Sequence, residues 1–242
     1  MLYVTGDCHG EYGRFSSRKF HGGAEDMVLV CGDFGIRPEE DRTQRYWSRW
    51  LEEKPFTLLF CTGNHEYFPR LNDLPVEEWM GGRIHRLAPN LIHLMDGEVF
   101  RIQGKRIFVM GGAQSHDMED GLLDPAAPDY SAQKRALDRR KGRYRTVGVD
   151  WWPEELPDPA LYDRARANLD RVGWKVDMVI THCAPDSVQE TLTGNYPANH
   201  LTHFLEEVRQ RLEFGAWCCG HYHREMRVKD ITLLYERILT LK

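Results

Sequence analysis

Five apolar runs in this 242-residue sequence stop abruptly at side chains that bind cations or carry protons. "LYVT" runs into Gly6-Asp7-Cys8-His9, "MVLVC" into Gly32-Asp33 and "TLLFCT" into Gly63-Asn64-His65-Glu66. "MVIT" runs into His182, and "AWCC" into Gly220-His221-Tyr222-His223. An amide, an imidazole and a carboxylate in a row are poor material for extending a buried strand. Ordinary polar caps need be neither imidazoles nor repeated on every strand, so the recurrence points to one shared site. Glycine before four of the endings lets the backbone turn sharply and lets neighbouring groups approach closely.

The residue types indicate the chemistry. Asp7, His9, Asp33, Asn64, His182, His221 and His223 form an oxygen and imidazole set without a thiolate. Seven donors are too many for one tetrahedral zinc but suit two cations that share a carboxylate. Two ions ~3.5–4 Å apart are the usual arrangement for hydrolysing phosphate esters. The donors admit manganese, iron, zinc, cobalt or magnesium and do not choose among them; two divalent ions are the expected cofactors, and manganese is the one expected first. His65 lies beside a donor but has no obvious place among the ligands.

The elements that must position these residues follow from apolar patterning. The runs are short, rich in Val, Leu, Ile and Phe, and separated by helix-like segments. Residues 39–54 place Tyr46, Trp47, Trp50 and Leu51 at helical spacing. Asp7, Asp33 and Asn64 are 26 and 31 positions apart, about one strand-helix-strand unit, which implies parallel pairing and an α/β fold. In such sheets ligands gather beyond the carboxyl ends of the strands, so the five endings should converge on one crevice. Gln103-Gly104-Lys105 reads as a hairpin turn. "PALYDRARANLDRVG" reads as a helix ending at Gly173, and "HLTHFLEEVRQRLEF" as another. The tail reads as strands around a turn at Lys229-Asp230. Residues 115–160, polar and too long for a simple connection, read as an insertion in a single domain spanning 1–242.

Bulk composition excludes other classes. The net charge is −5, from 32 Lys and Arg against 37 Asp and Glu, so no global positive field argues for nucleic acid. No apolar run approaches the ~18 residues of a membrane helix. The strand-like start lacks a signal-peptide pattern, and the expected location is cytoplasmic, with no membrane partner. Six cysteines lie on or beside apolar runs without C-x-x-C spacing. They read as small buried residues rather than disulfides or a zinc knuckle.

The ordered set of motifs from residue 7 to residue 223 resembles the metallophosphoesterase (calcineurin-like phosphoesterase) superfamily. The resemblance implies a four-layer α/β sandwich of two mixed β-sheets flanked by helices, with metals at the strand ends. It implies a hydrolase of phosphodiesters or phosphomonoesters. Asp7, His9 and His223 would hold one ion, Asn64, His182 and His221 the other, and Asp33 would bridge them. A bridging hydroxide would be the nucleophile, and His65 would assist the leaving group. Ile36 stands where many members carry a second aspartate, so the usual carboxylate partner of His65 is missing or supplied elsewhere. "GDCHG", "GNHEYF" and "GGAQSHD" look more like small bacterial or phage members than serine/threonine protein phosphatases. The alternative is a non-catalytic metal-binding scaffold on the same fold; retention of all the donors and His65 favours the enzyme.

Three further features bear on substrate. Arg37 matches the spacing of an arginine common in the family, and His116 follows an apolar strand and a glycine pair; both are candidates for substrate binding. Residues 134–145 carry Lys134, Arg135, Arg139, Arg140, Lys141, Arg143 and Arg145 against Asp138 alone. A small phosphorylated substrate is the expected partner, and this basic segment offers a contact for nucleic acid.

Overall fold

A computed structural model describes residues 1–38, 41–192, 194 and 196–241. The first three apolar runs form β1 (Leu2–Thr5), β2 (Met27–Val30) and β3 (Thr57–Phe60), paired in parallel as expected. Between the second and third lies α1 (Arg42–Glu52). Asp41 starts it by accepting from the backbone N–H groups of Thr43 and Gln44, a cap worth ~1 kcal/mol. Its buried face is narrower than the spacing suggested. Leu51 is buried and Trp47 and Trp50 half-buried, but Tyr46 is 60% exposed. Glu39 and Glu40, assigned to the same helical run, lie outside the described residues.

The stretch that follows carried no clear sequence signal. It forms α2 (Phe68–Asn72) and a hairpin of β4 (Val76–Trp79) and β5 (Gly82–Ala88), after which β6 (Leu91–Leu94) pairs in parallel with β3. β7 (Glu98–Ile102) and β8 (Lys105–Met110) make the expected hairpin. Gln103 and Gly104 at its tip have φ of 49° and 80°, the left-handed pair that a tight two-residue turn requires.

Residues 115–160 contain β9 (Leu122–Leu123), α3 (Tyr130–Arg140) and β10 (Arg145–Thr146), with β9 and β10 paired in parallel. α4 (Pro159–Arg171) then leads to Gly173 and into β11 (Lys175–Thr181). α5 (Asp186–Gln189) and α6 (His200–Arg211) precede β12 (Glu213–Cys219). β13 (Met226–Val228) and β14 (Ile231–Leu233) flank the turn at Lys229-Asp230, and β15 (Leu239–Leu241) ends the tail.

These strands make two mixed sheets in the orders β15-β1-β2-β3-β6-β5-β4 and β13-β14-β12-β11-β8-β7. Alternation along each strand sorts side chains between layers. Val28, Val30, Leu58 and Phe60 pack outward with Leu51 of α1. Leu29, Leu59, Ile107, Val109, Met178 and Ile180 fill the space between the sheets. Phe108, Val179 and Trp217 pack outward with Leu169 of α4 and Leu205 of α6. Each fully buried aliphatic side chain contributes roughly 1.5–3 kcal/mol. The result is the four-layer α/β sandwich, and all six cysteines are free and buried within it.

Candidate metal centre

All five sequence endings meet between the two sheets, at the carboxyl ends of β1, β2, β3, β11 and β12. Donor atoms of Asp7, His9 and His223 lie within 4.8 Å of one another, as do those of Asp7, Asp33 and His182. Asp33 Oδ2 is 3.4 Å from His182 Nε2 and 3.7 Å from His9 Nε2, so it reaches both groups. Asn64 Oδ1 joins the second group, 3.2 Å from His182 Nε2. His221 sits at the edge of the cluster. Its ring lies 5.1 Å from that of His182, and its backbone N–H donates to Asp7 at 2.9 Å.

The backbone here is strained and tightly held. His9, Asp33, His221 and His223 have φ of 51°, 46°, 67° and 48°, a conformation that costs on the order of 1–3 kcal/mol per residue outside glycine. Glu66 holds one of these turns. Fully buried, it accepts from the backbone N–H groups of Phe34, Gly35 and Ile36 at 2.6, 3.1 and 2.8 Å. Burial, followed by Asp33, raises its pKa to about 7 despite those donors. Two glycines permit the close approach of the loops. A Cβ on Gly63 would fall 2.0 Å from Asp33 Oδ1, and one on Gly220 2.2 Å from Asp7 Oδ1.

Hydrogen bonding tests whether this centre fits cations. The carbonyl of Cys31 can only accept, so His182 Nδ1, 2.7 Å away, carries the proton. In the neutral ring Nε2 is then a lone pair facing two oxygens. Ser115 Oγ donates to Glu155 Oε2 at 2.7 Å and accepts from Asn64 Nδ2 at 3.1 Å, which turns the Asn64 oxygen toward His182. Three acceptors thus face one another, an arrangement that a cation or a proton must relieve. Burial opposes charge on His182, yet Asp33, Asp7 and the Cys31 carbonyl lift its pKa to about 9. Burial likewise raises the Asp33 carboxyl, and the His182, His65 and His9 imidazoles outweigh it and hold it well below the usual range. The donor set fits divalent cations, with a backbone carbonyl and a hydroxyl orienting the ligands from behind.

The remaining sequence candidates fall around this centre. The His65 backbone N–H donates to Asp33 Oδ1 at 2.8 Å, and its ring stands 5.4 Å from that of His9. Arg37 lines a cavity of about 380 Å³ together with His9, His65, Tyr67 and Trp152. The His116 ring packs edge-on against His221 at 5.2 Å and Tyr196 at 5.0 Å. The position beside His65 Nε2, where a carboxylate was missing, is taken by Arg145 Nη2 at 3.4 Å. Burial, with Arg145 adding to it, lowers the His65 pKa against the pull of Asp33.

Several residues escaped the sequence reading. Ser115 and Glu155 carry no ligand motif, and Tyr235, which stacks on His223 at 4.5 Å, lies in an unremarked tail. The basic segment is also less bare than its sequence implies. Lys134 pairs with Asp138, Arg140 with Asp120, Arg143 with Glu119 and Arg145 with Asp117.

The family profile described as calcineurin-like phosphoesterase matches residues 1–225. The chain belongs to the calcineurin-like phosphoesterase family. Membership agrees with the two mixed sheets and flanking helices. Among curated proteins it is similar to the lariat debranching enzyme of Mus musculus, 30% identical over 245 residues, covering 91% of this chain and 41% of the relative. It is 32% identical to that of Homo sapiens over 149 residues, covering 53% of this chain and 26% of the relative. For Danio rerio the identity is 33% over 150 residues, with 54% and 25% covered. The chain therefore spans less than half the length of these relatives. No solved structure matches significantly. Among the described residues, no helix is long and apolar enough to cross a membrane.

Proposed function

We propose that this phosphoesterase hydrolyses a phosphodiester, using two divalent cations held at the strand ends. One observation carries the reading: Asp33 Oδ2 reaches His9 at 3.7 Å and His182 at 3.4 Å, so a single carboxylate serves both donor groups. When bound, the ions would supply Lewis acidity at the phosphoryl oxygens and activate a water as nucleophile near neutral pH.

The chain's own residues divide the remaining tasks. Asp7, His9 and His223 would hold one cation and Asn64, His182 and His221 the other, with Asp33 within reach of both. His65 faces the leaving oxygen. Arg37, on the rim of the adjoining cavity, meets the substrate phosphate, and His116 buttresses His221 on the substrate side. Manganese is the ion to test first; the oxygen and imidazole donors also admit iron, zinc, cobalt and magnesium.

The name of the relatives, lariat debranching enzyme, supports a nucleic-acid diester over a monoester. Exposed Arg135, Arg139 and Lys141 on or beside α3 would then face the polyanion. The test compares a bis-nitrophenyl diester, a nitrophenyl monoester, a branched oligonucleotide and its linear counterpart, each with metal-loaded protein across a salt series. The expected order is diester over monoester and branched over linear. Oligonucleotide binding should weaken with salt by ~0.7–0.9 log units per phosphate contacted and per log unit of salt. Hydrolysis of monoesters alone would overturn the diester reading.

A further inference from the structure

We propose that Arg145, carried to the metal centre by the insertion, is a substrate-binding residue that grips the scissile phosphate beside His65. The proposal rests on the phosphoesterase reading above and adds a residue to it that no ligand motif contains.

Position separates Arg145 from its neighbours in the basic segment. The Arg140 and Arg143 side chains are 61% and 59% exposed and pair with surface acids, whereas that of Arg145 is 16% exposed. Its place is set by β10, where it registers opposite Leu122 of β9, and by the next turn, in which the Thr146 N–H donates to Asp150 Oδ1 at 2.6 Å. Asp117 then grips the guanidinium from one side, with Nε 3.0 Å from Oδ1 and Nη2 on Oδ2, and Asp150 stands 3.7 Å from Nη1. The fork is held by its carboxylates while Nη2 also points at His65 Nε2, 3.4 Å away.

Two physical points favour a ligand-binding role over a simple structural pair. Arginine keeps its charge at all accessible pH values, and this one is directed toward a centre built to hold two further cations. Asp117 and Asp150 balance its charge from one side, so what it offers a substrate anion is the second hydrogen of Nη2, turned toward His65. The spacing also suits an oxygen. A phosphate oxygen at ~2.7–3.2 Å from each of two nitrogens closes a normal triangle over their 3.4 Å separation. The planar guanidinium, fixed by Asp117 through Nε and Nη2, aims that remaining N–H in a way that a flexible lysine cannot.

The test measures kcat and KM of R145A and R145K on the bis-nitrophenyl diester, with metal content and Tm recorded for each. Loss of one preorganised donor to transition-state charge costs ~10²–10³-fold. R145A should therefore lose about 10²-fold or more in kcat/KM at unchanged metal content, and guanidinium chloride at a non-denaturing concentration should restore at least tenfold of it. R145K, which keeps charge without the fork, should fall between R145A and the natural protein. An R145A activity within threefold of the natural protein, or a loss that guanidinium does not rescue, overturns the assignment. If R145A fails to fold, R145K decides: a tenfold loss with full metal content supports the proposal, and a loss within threefold overturns it. Inactivity of the natural protein on every ester would instead refute the reading on which the proposal rests.

Discussion

Asn64 Nδ2 stands 3.1 Å from Ser115 Oγ, and this hydrogen bond decides which end of the amide faces the metal crevice. Ser115 spends its only proton on Glu155 at 2.7 Å, so toward Asn64 it can only accept. The amide oxygen is thereby turned to the side where His182 and Asp33 wait.

Ser115→Ala should release that constraint without touching a ligand. Loss of an outer hydrogen bond of this type typically lowers metal affinity by ~10–100-fold. Competition with a chelator should show the weakening while both ions still bind at saturation. Unchanged affinity would mean that Asn64 is oriented by other contacts or holds no metal.

Asp33→Ala and His9→Ala should differ in stoichiometry. Asp33 reaches both donor groups, whereas His9 stands with Asp7 and His223. Elemental analysis should find both ions depleted in the first variant and mainly one in the second. Chelated natural protein should be inactive and recover with manganese or another divalent ion. Full activity of Asp33→Ala in chelator would end the two-metal reading.

His65→Ala should keep its metals and lose rate according to the leaving group. Proton donation is worth ~10²–10⁴-fold when the departing oxygen needs it. Nitrophenolate needs little help and an alkoxide much, so alkyl esters should suffer far more than nitrophenyl esters. Equal losses on both would assign His65 to phosphate positioning, with the guanidinium of Arg145 at its side.

His93 gives a prediction about stability rather than activity. Burial, with His85 adding to it, depresses its pKa to about 3. Below pH ~6.5 the unfolded chain takes up a proton that the folded chain refuses until about pH 3, so stability falls with pH through that window by up to ~1.4 kcal/mol per unit. His93→Phe keeps an aromatic ring against Phe60, which lies 5.2 Å away, and should flatten this acid limb. Burial also raises the Asp96 carboxyl to about 6, which favours the folded state as pH falls; both proteins share that effect, so the difference between their melting curves isolates His93. Parallel curves from pH 7 to 5 would show that the ring protonates in the fold.

The sequence by itself determined which donor side chains stand at the strand ends, because strand ends are local features. A Val-, Leu- and Ile-rich run that stops at Gly-Asp or Gly-Asn announces both its strand and the side chain beyond it. Parallel pairing then sends all such endings to one edge. It also determined the Gln103-Gly104 hairpin, since left-handed φ values are a property of two adjacent residues. The tertiary structure alone decided the supporting cast. Glu66 clamps the loop after Asp33 from 30 to 32 positions away, Glu155 orients Ser115 across 40, and Arg145 meets His65 across 80. β15 crosses from the tail to pair with β1 at the far end of the chain. Periodicity and spacing report what one segment buries, but a hydrogen bond between distant loops depends on where two sheets stack. Ordinary serine, glutamate and arginine residues therefore stand beside the donor cluster only because the fold brings them there.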